Sequence, residues 1–209
     1  MNAILFYDTE TTGLPLFEKP SEHPDQPHIV QLAALLYDIK AGREIASIDV
    51  IVKPDGWSIP AEVSKIHGIT DELASDVGVS ESMALGMLLE LWGGRLRVAH
   101  NQSFDARIVR IAQMRFDESK AERWQQGPAQ CTATMATPIM KLPPTERMRA
   151  AGRNHPKTPN LGEAHKHFTG LELEGAHNAM VDVRACLSVY LAITRGDTSA
   201  SRAPTASVA

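Results

Sequence analysis

The chain has 209 residues, of which 43% are hydrophobic and 22% are charged, and its net charge is −4. This size and composition are typical of one globular domain with its own core. They exclude a protein that binds nucleic acid through bulk positive charge, but not a nucleic-acid enzyme, since an acidic metal site contributes negative charge. No apolar run reaches the ~18–20 residues of a membrane helix, and the N-terminus has no basic leader, so we expect a cytoplasmic protein without membrane contact.

The first part of the chain predicts three strands of one sheet. Residues 2–7 are an apolar run that is typical of a buried strand. Residues 15–28 contain four prolines, which predicts an irregular loop. Residues 29–39 and 44–52 are apolar stretches on either side of a Gly-containing turn. We expect these two stretches to form a hairpin that pairs with the first strand.

The middle of the chain changes to helical spacing. A helix is predicted to begin after Ser80 and to end at Gly93. Residues 96–99 predict a short strand, and residues 103–116 predict a second helix. Residues 138–159 contain five prolines, so we expect an irregular excursion there.

Two further helices complete the pattern. Asn160 is a predicted N-cap of a helix that extends through Phe168. Residues 179–193 have the spacing of a long amphipathic helix. We expect one domain over residues 1–194 and a disordered tail over residues 195–209, which is rich in Ser, Thr and Ala. Together these elements predict an α/β domain with a mixed central β-sheet flanked by α-helices.

A pair of carboxylates follows the first predicted strand. Asp8 and Glu10 are two residues apart, so an extended backbone directs both side chains to one face of the sheet. Their mutual repulsion costs free energy unless a cation neutralises it. Oxygen ligands alone suit Mg²⁺ or Mn²⁺. The pair by itself also fits an ordinary strand end with solvated acids.

Two later clusters add acids and a histidine. Ser103 is a predicted N-cap that places Asp105 in the first turn of a helix, where the helix dipole favours a carboxylate. That structural role accounts for Asp105 without any chemistry. Asp182 lies inside the last predicted helix, and a half-buried carboxylate there needs a partner. His177, five residues earlier, is either an ordinary surface residue or a side chain that reaches a water molecule at a metal held by Asp182.

Three segments carry a resemblance to a known family. The segments FYDTETTGL (6–14), HNQSFD (100–105) and HNAMVD (177–182) are similar, in order, to the three exonuclease motifs of the DEDD superfamily. The histidine five residues before the last aspartate is typical of its DEDDh (DnaQ-like) branch of 3′–5′ exonucleases. Within that branch the chain most resembles the proofreading epsilon subunits of bacterial DNA polymerase III. Residues 53–70, which include the run IHGIT, resemble the stretch between the first two motifs.

The resemblance extends over about residues 3–194 and implies a ribonuclease-H-like fold. It implies hydrolysis of a nucleic acid from its 3′ end, with release of nucleoside 5′-monophosphates. It implies two divalent metal ions, Mg²⁺ or Mn²⁺, held by Asp8, Glu10, Asp105 and Asp182, with His177 as the general base. It also implies a set of residues that lines the terminal nucleotide. That set consists of Thr11, Leu14, Glu62, Ile66, His67, Asn101 and Phe104.

Several finer expectations follow from this resemblance. Asp8, taken as the innermost carboxylate, is expected to be the ligand shared by both metal ions. Glu62 and His67 are expected to face the 3′ end. Phe104 offers a surface for stacking or wedging, or else it packs in the core. We expect a single-stranded or frayed DNA 3′ end as substrate, because a narrow site that stacks on one terminal nucleotide suits an unpaired strand.

The chain also departs from the family pattern. The 15–28 loop is rich in proline, and the 138–159 excursion is longer and more basic than a minimal catalytic core needs. The chain ends soon after the last predicted helix, and no clamp-binding peptide is evident. We therefore expect a nuclease that acts alone, with polymerase association left open.

Charge is distributed unevenly along the chain. Residues 1–100 have a net charge of −8, and residues 101–209 have a net charge of +4. Between positions 141 and 167 six basic residues occur with only two acidic ones. The six are Lys141, Arg147, Arg149, Arg153, Lys157 and Lys166. This segment is either a surface for a phosphate backbone or a solvated loop with scattered charge.

Two alternative functions remain open from the sequence. The same carboxylates would serve a 3′–5′ exoribonuclease of the same superfamily, which would differ in contacts to the 2′-hydroxyl. A non-catalytic nucleic-acid-binding module on the same fold is the other alternative. The complete acidic set argues against it, because such a module has no need for four carboxylates that repel one another.

Overall fold

A computed structural model describes residues 3–196 of the chain, and the predicted tail beyond Gly196 lies outside them. The five strands are β1 (Ala3–Thr11), β2 (Ile29–Asp38), β3 (Arg43–Ile51), β4 (Arg97–Ala99) and β5 (Ala129–Cys131). The sheet order is β3-β2-β1-β4-β5, with antiparallel pairing among β1, β2 and β3 and parallel pairing among β1, β4 and β5. The predicted α/β class and mixed sheet are therefore confirmed.

Nine α-helices and one 3₁₀ turn, Glu118–Lys120, surround the described part of the sheet. The helices are α1 (Ala61–His67), α2 (Asp71–Val77), α3 (Glu81–Trp92), α4 (Gln102–Phe116), α5 (Ala121–Gln126), α6 (Thr132–Met140), α7 (Glu146–Ala150), α8 (Leu161–Thr169) and α9 (Ala179–Arg195). None of the helices within residues 3–196 combines the length and the apolar content that crossing a membrane requires.

Strand β1 is the centre of the fold, and both of its faces are covered. Leu5 and Tyr7 pack in a core with α3 and α4. Ile4 and Phe6 pack on the opposite face with α9. Burial on both faces explains the continuous apolar run in the sequence. The even-numbered row of β1 is therefore the row that faces α9.

β1 extends four residues beyond its predicted end at residue 7. Its antiparallel ladder with β2 continues to Thr11, where a bulge after Glu10 changes the register. The sequence pattern missed this extension because polar side chains at Asp8 and Glu10 are also typical of a strand end. Both carboxylates thus belong to the regular strand and continue its even-numbered row.

The other predicted elements are confirmed with small shifts, and several short helices were missed. Asn160 caps α8 in a capping box with Glu163, and Gly93 ends α3 in a left-handed conformation. The prediction of an irregular 138–159 excursion was wrong in part, since it contains the end of α6 and all of α7. These helices are short and α7 buries no residue, so neither apolar periodicity nor length marks them in the sequence.

The proline-rich 15–28 loop contains no helix or strand, as predicted, and it is organised around one side chain. Gln26 is 1% exposed. Its Oε1 accepts a hydrogen bond from Leu16 N at 3.0 Å, and its Nε2 lies 2.9–3.3 Å from the carbonyl oxygens of Leu16, Lys19 and Pro20. Arg107 of α4 donates to Lys19 O at 2.7 Å, which fixes the loop against the helix.

We predict that Gln26→Ala destabilises the protein by about 1–3 kcal/mol, because it leaves buried polar groups of the loop without partners. Chemical denaturation measures this difference. Gln125→Ala is the matched control, since Gln125 is exposed on α5. Equal stability of the two variants would show that water replaces the bonds of Gln26 without cost.

Candidate functional site

The structure brings the three sequence clusters together in one cleft of about 540 Å³ at the end of β1. β1 supplies Asp8 and Glu10, the first turn of α4 supplies Asp105, and the first turn of α9 supplies Asp182. The cleft is lined by Asp8, Thr9, Glu10, Thr11, Gly13, Leu14, Val63, Ile66, His67, His100, Asn101, Phe104, Asp105, His177 and Asp182. Every predicted site residue except Glu62 belongs to this lining.

Asp105 is held in place by Thr9, a residue that the sequence did not indicate. The Oδ1 atom of Asp105 accepts hydrogen bonds from Thr9 N at 3.0 Å and from Thr9 Oγ1 at 2.8 Å. Asp105 is only 2% exposed. Burial raises the pKa of Asp105, and the bonds from Thr9 oppose that rise. Thr9 therefore fixes one Asp105 oxygen and favours the ionised carboxylate.

The predicted N-cap of α4 was wrong. The cap is Asn101 and not Ser103, and the Asn101 side chain makes no capping hydrogen bond. Asn101 instead has a positive φ of 60°, and its carbonyl oxygen accepts from Phe104 N at 2.9 Å. This left-handed turn starts the helix two residues earlier than the Ser103 cap would. Asp105 still lies in the first turn, as expected.

Asp182 is positioned by contacts at the start of α9. Asn178 caps the helix by accepting from Val181 N at 3.2 Å. The buried Gln31 of β2 accepts from Ala179 N through Oε1 at 3.1 Å. Since Gln31 lies opposite Glu10 in the strand ladder, it fixes the start of α9 beside Glu10. The only trace of this role in the sequence is one glutamine within an apolar run.

His177 lies on an exposed segment directly before α9. Its φ is 66°, an uncommon conformation for a residue with a side chain. Its backbone N–H donates to Asp182 Oδ2 at 3.2 Å. Possible ligand atoms of Glu10, His177 and Asp182 lie within 4.8 Å of one another. The side chain of His177 is thus close enough to the acids either to accept a proton beside them or to share a cation with them.

Burial and mutual repulsion make the ionised acid cluster unfavourable without a cation. Burial raises the pKa of Asp8 well above its usual range, and Asp105, Asp182 and Glu10 raise it further. Burial also raises the pKa of Glu10 and of Asp182, and His177 opposes both shifts. The expectation that Asp8 is the innermost acid was wrong, because Asp105 is more buried. Asp8 is instead the acid on which all three others act.

The acid cluster fits a divalent cation. Asp182 Oδ1 is buried and has no hydrogen-bond partner within the described part of the chain. A buried carboxylate oxygen of this kind needs a proton or a cation. Possible ligand atoms of Glu10 and His177 lie within 4.8 Å of an Asp182 carboxylate oxygen, and the carboxylate oxygens among them suit Mg²⁺ or Mn²⁺.

The opposite wall of the cleft combines apolar and polar side chains. Leu14 is 75% exposed and Ile66 is 56% exposed. Phe104 lines the cleft and also packs against the core cluster on the α3 and α4 side. Phe104 therefore packs in the core and also presents surface to the cleft, and stacking on a nucleotide stays a prediction. Glu62 lies in the first turn of α1 and is exposed outside the lining.

His67 presents one free ring nitrogen in this wall. Its Nδ1 accepts from Ile69 N at 3.1 Å, so a neutral His67 carries its proton on Nε2. Burial and the proximity of His177 lower the pKa of His67, which favours the neutral ring. Nε2 is buried and has no partner among residues 3–196. His67 thus has a hydrogen-bond donor available for a ligand in the cleft.

His100 connects the cleft to the 138–159 excursion. Its Nε2 lies 3.1 Å from Pro159 O, and its Nδ1 lies 2.9 Å from Thr132 Oγ1. Since a carbonyl oxygen only accepts, Nε2 donates to Pro159, and in the neutral ring Nδ1 accepts from Thr132. Burial lowers the pKa of His100, which favours this neutral form. The sequence singled out His100 but could not indicate a partner 59 residues away.

Comparison with known proteins gives matches over nearly the whole chain. A family model described as Exonuclease matches residues 5–190. DNA polymerase III subunit epsilon of Treponema pallidum (strain Nichols) is 26% identical over 197 residues, which cover 90% of this chain and 74% of that protein. The same subunit of Pasteurella multocida (strain Pm70) is 25% identical over 194 residues, covering 92% of this chain and 68% of that protein.

Solved structures with the same fold include two forms of exonuclease I. E. coli exonuclease I in complex with a dT13 oligonucleotide superposes with a TM-score of 0.72 at 21% identity, over 93% of this chain and 41% of that chain. Exonuclease I of Methylocaldum szegediense superposes with a TM-score of 0.66 at 21% identity, over 98% of this chain and 42% of that chain. This chain thus spans about two-fifths of the length of those proteins. The superpositions show that the sheet and its helices have the ribonuclease-H-like fold that the motifs implied.

Proposed function

This chain belongs to the exonuclease family, whose model it matches over residues 5–190, and we propose that it is a metal-dependent 3′–5′ exonuclease. The observation that carries the proposal is the convergence of four carboxylates and His177 in one cleft. We propose that residues 1–194 form the catalytic domain. The substrate is a single-stranded or frayed DNA 3′ end, and the products are nucleoside 5′-monophosphates. The names of the epsilon subunits and the oligonucleotide bound to E. coli exonuclease I support DNA as the substrate.

Asp8, Glu10, Asp105 and Asp182 would hold two divalent ions, Mg²⁺ or Mn²⁺. When bound, such ions lower the pKa of a water molecule and neutralise charge on the scissile phosphate and the leaving oxygen. Asp182 Oδ1, which has no hydrogen-bond partner among residues 3–196, and the repulsion centred on Asp8 support this assignment. The bonds from Thr9 oppose the rise in the pKa of Asp105 and align its carboxylate for the same task.

His177 is the general base of the proposed reaction. Its neutral imidazole would accept the proton of the attacking water molecule. The exposed position of His177 leaves the ring free to exchange that proton with solvent. The bond from its backbone to Asp182 Oδ2 keeps the ring beside the acids.

The wall opposite the acids would hold the terminal nucleotide. Leu14, Ile66 and Phe104 offer apolar surface for a base. His67 would donate from Nε2 to the 3′ end, with Glu62 near it at the rim. Thr11 and Asn101 complete the contacts to the terminal nucleotide. A cleft of about 540 Å³ has room for one terminal nucleotide.

A gel assay on 5′-labelled single-stranded DNA tests the proposal, with RNA of the same sequence beside it. We expect a ladder that shortens from the 3′ end with Mg²⁺ or Mn²⁺ and no products with EDTA. Asp182→Ala should abolish the ladder, whereas the exposed control Asp76→Ala on α2 should retain it. Faster shortening of RNA would favour the exoribonuclease alternative. The proposal fails if neither strand is shortened with any metal, as a non-catalytic module would predict.

A further inference from the structure

The excursion over residues 141–157 carries four exposed cations without acidic partners. Lys141, Arg147, Arg149 and Arg153 are exposed, and none of them forms an ion pair within residues 3–196. Glu146 is the only acid between positions 141 and 156. The other two cations of the basic stretch between positions 141 and 167 are neutralised. Lys157 pairs with Glu163, and Lys166 pairs with Glu172. Only part of the basic stretch in the sequence is thus a positive surface.

The two ends of this excursion are held together and attached to the wall of the cleft. Lys157 N donates to Leu142 O at 3.0 Å, which closes the two ends of the excursion on each other. Two residues later, Pro159 is buried, and its carbonyl oxygen accepts from His100, which lines the cleft. Arg153 is six residues from Pro159, so it lies at most about 20 Å from this anchor. That distance corresponds to about six stacked nucleotides of one strand.

We propose that these four cations bind phosphates of the substrate strand a few nucleotides 5′ of the end that is hydrolysed. The inference rests on the proposed function and adds a second contact to it. Residues 1–100 have a net charge of −8, which repels a polyanion. A strand that enters the cleft needs local cations to offset this repulsion, and release of condensed counterions supplies the free energy. The excursion carries four exposed cations with no ion pair among residues 3–196, and it is anchored beside the cleft through the bond between His100 and Pro159 O.

The triple variant Arg147→Gln, Arg149→Gln, Arg153→Gln tests the inference. Two substrates are compared, a 20-nucleotide single-stranded DNA and the p-nitrophenyl ester of thymidine 5′-monophosphate. The ester contains one nucleotide and does not extend to the excursion. We expect the plot of log kcat/KM against log salt for the long strand to become less steep by about 2, which is about 0.7 for each of three lost phosphate contacts. Turnover of the ester should not change.

A matched pair of double variants controls for net charge. Arg147→Gln with Arg149→Gln removes two cations from the excursion, and Lys40→Gln with Arg43→Gln removes one from the β2–β3 turn and one from the first residue of β3. That turn lies at the opposite end of β1 from the acids, since Asp38 pairs with Ala3. We expect a slope change of about 1.4 for the first double variant and none for the second.

The outcomes separate the inference from the proposed function. An unchanged salt slope in the triple variant, with ester turnover intact, overturns the inference. Equal slope changes in the two double variants also overturn it, because they would show an effect of net charge alone. A wild-type protein that hydrolyses neither substrate contradicts the proposed function instead.

Discussion

Asp8→Asn is expected to reduce the exonuclease rate by about a thousand-fold or more, and to stabilise the metal-free protein. A metal ion contributes several kcal/mol of charge stabilisation, and each ~1.4 kcal/mol is tenfold in rate. Asp8 is the acid on which the other three act, so its loss should disturb every ion at the site. A gel or fluorescence assay with saturating Mn²⁺ measures the rate.

The stability part of this prediction depends on pH. Burial and the neighbouring carboxylates raise the pKa of Asp8 in the folded chain. The unfolded chain releases this proton near its ordinary pKa of about 3.9, before the folded chain does. The metal-free wild type therefore loses stability as the pH rises above about 4, until it passes the folded pKa. Asp8→Asn lacks this loss of stability, so the variant should become more stable relative to wild type as the pH rises. This difference in stability should shrink when metal is added to both proteins.

Thermal unfolding with EDTA at pH 4 and pH 8 measures the effect. Asp76→Asn is the control, because Asp76 is exposed on α2 and should behave like wild type at both pH values. A metal-free Asp8→Asn protein that is no more stable than wild type at pH 8 would refute repulsion within the cluster.

His177→Ala is expected to slow hydrolysis by about 10²–10⁴-fold, the usual cost of losing a general base. Metal binding should remain close to that of wild type, because the four carboxylates are intact. The proximity of possible ligand atoms of His177, Glu10 and Asp182 makes a second role conceivable, in which His177 is itself a ligand. The two roles differ in their effect on metal affinity.

Calorimetric titration of Mn²⁺ into the variant separates these roles. Two ions bound with near wild-type affinity, together with the slow rate, support His177 as the base. A loss of one ion or of both would contradict that role and identify His177 as a ligand. His165→Ala on α8 serves as the control, since the ring of His165 bonds only to Leu171 O within the described chain.

Local patterns predicted the parts of the fold and the site that depend on local geometry. The i, i+2 spacing placed Asp8 and Glu10 on one face, and the residues before α8 and after α3 indicated Asn160 and Gly93 as caps. These features depend on backbone preference within a few residues. The three motifs, taken together, assigned the acids of three distant segments to a single site.

Contacts between distant segments could not be predicted in the same way. Gln31 reaches the start of α9 across 148 residues, and His100 reaches Pro159 across 59. No periodicity encodes such pairs, because they exist only after the sheet and helices have packed. The left-handed Asn101 was missed because Ser103 satisfies the local capping rule equally well. Glu62 was expected in the cleft, but α1 leaves it exposed outside the lining.

The central position of β1 determines which parts of the site open locally in the native state. β1 is bonded to β2 along its length and to β4 at Leu5 and Phe6, and its residues 4–7 are covered on both faces, so the amide protons of that part should exchange with solvent only when the whole domain unfolds. His177 lies on an exposed turn, where local opening costs far less free energy. Asp8 and Glu10 continue this strand and stay paired with β2, so they should open more slowly than His177. Small fluctuations of the native state can move the proton acceptor without disturbing the two acids on β1.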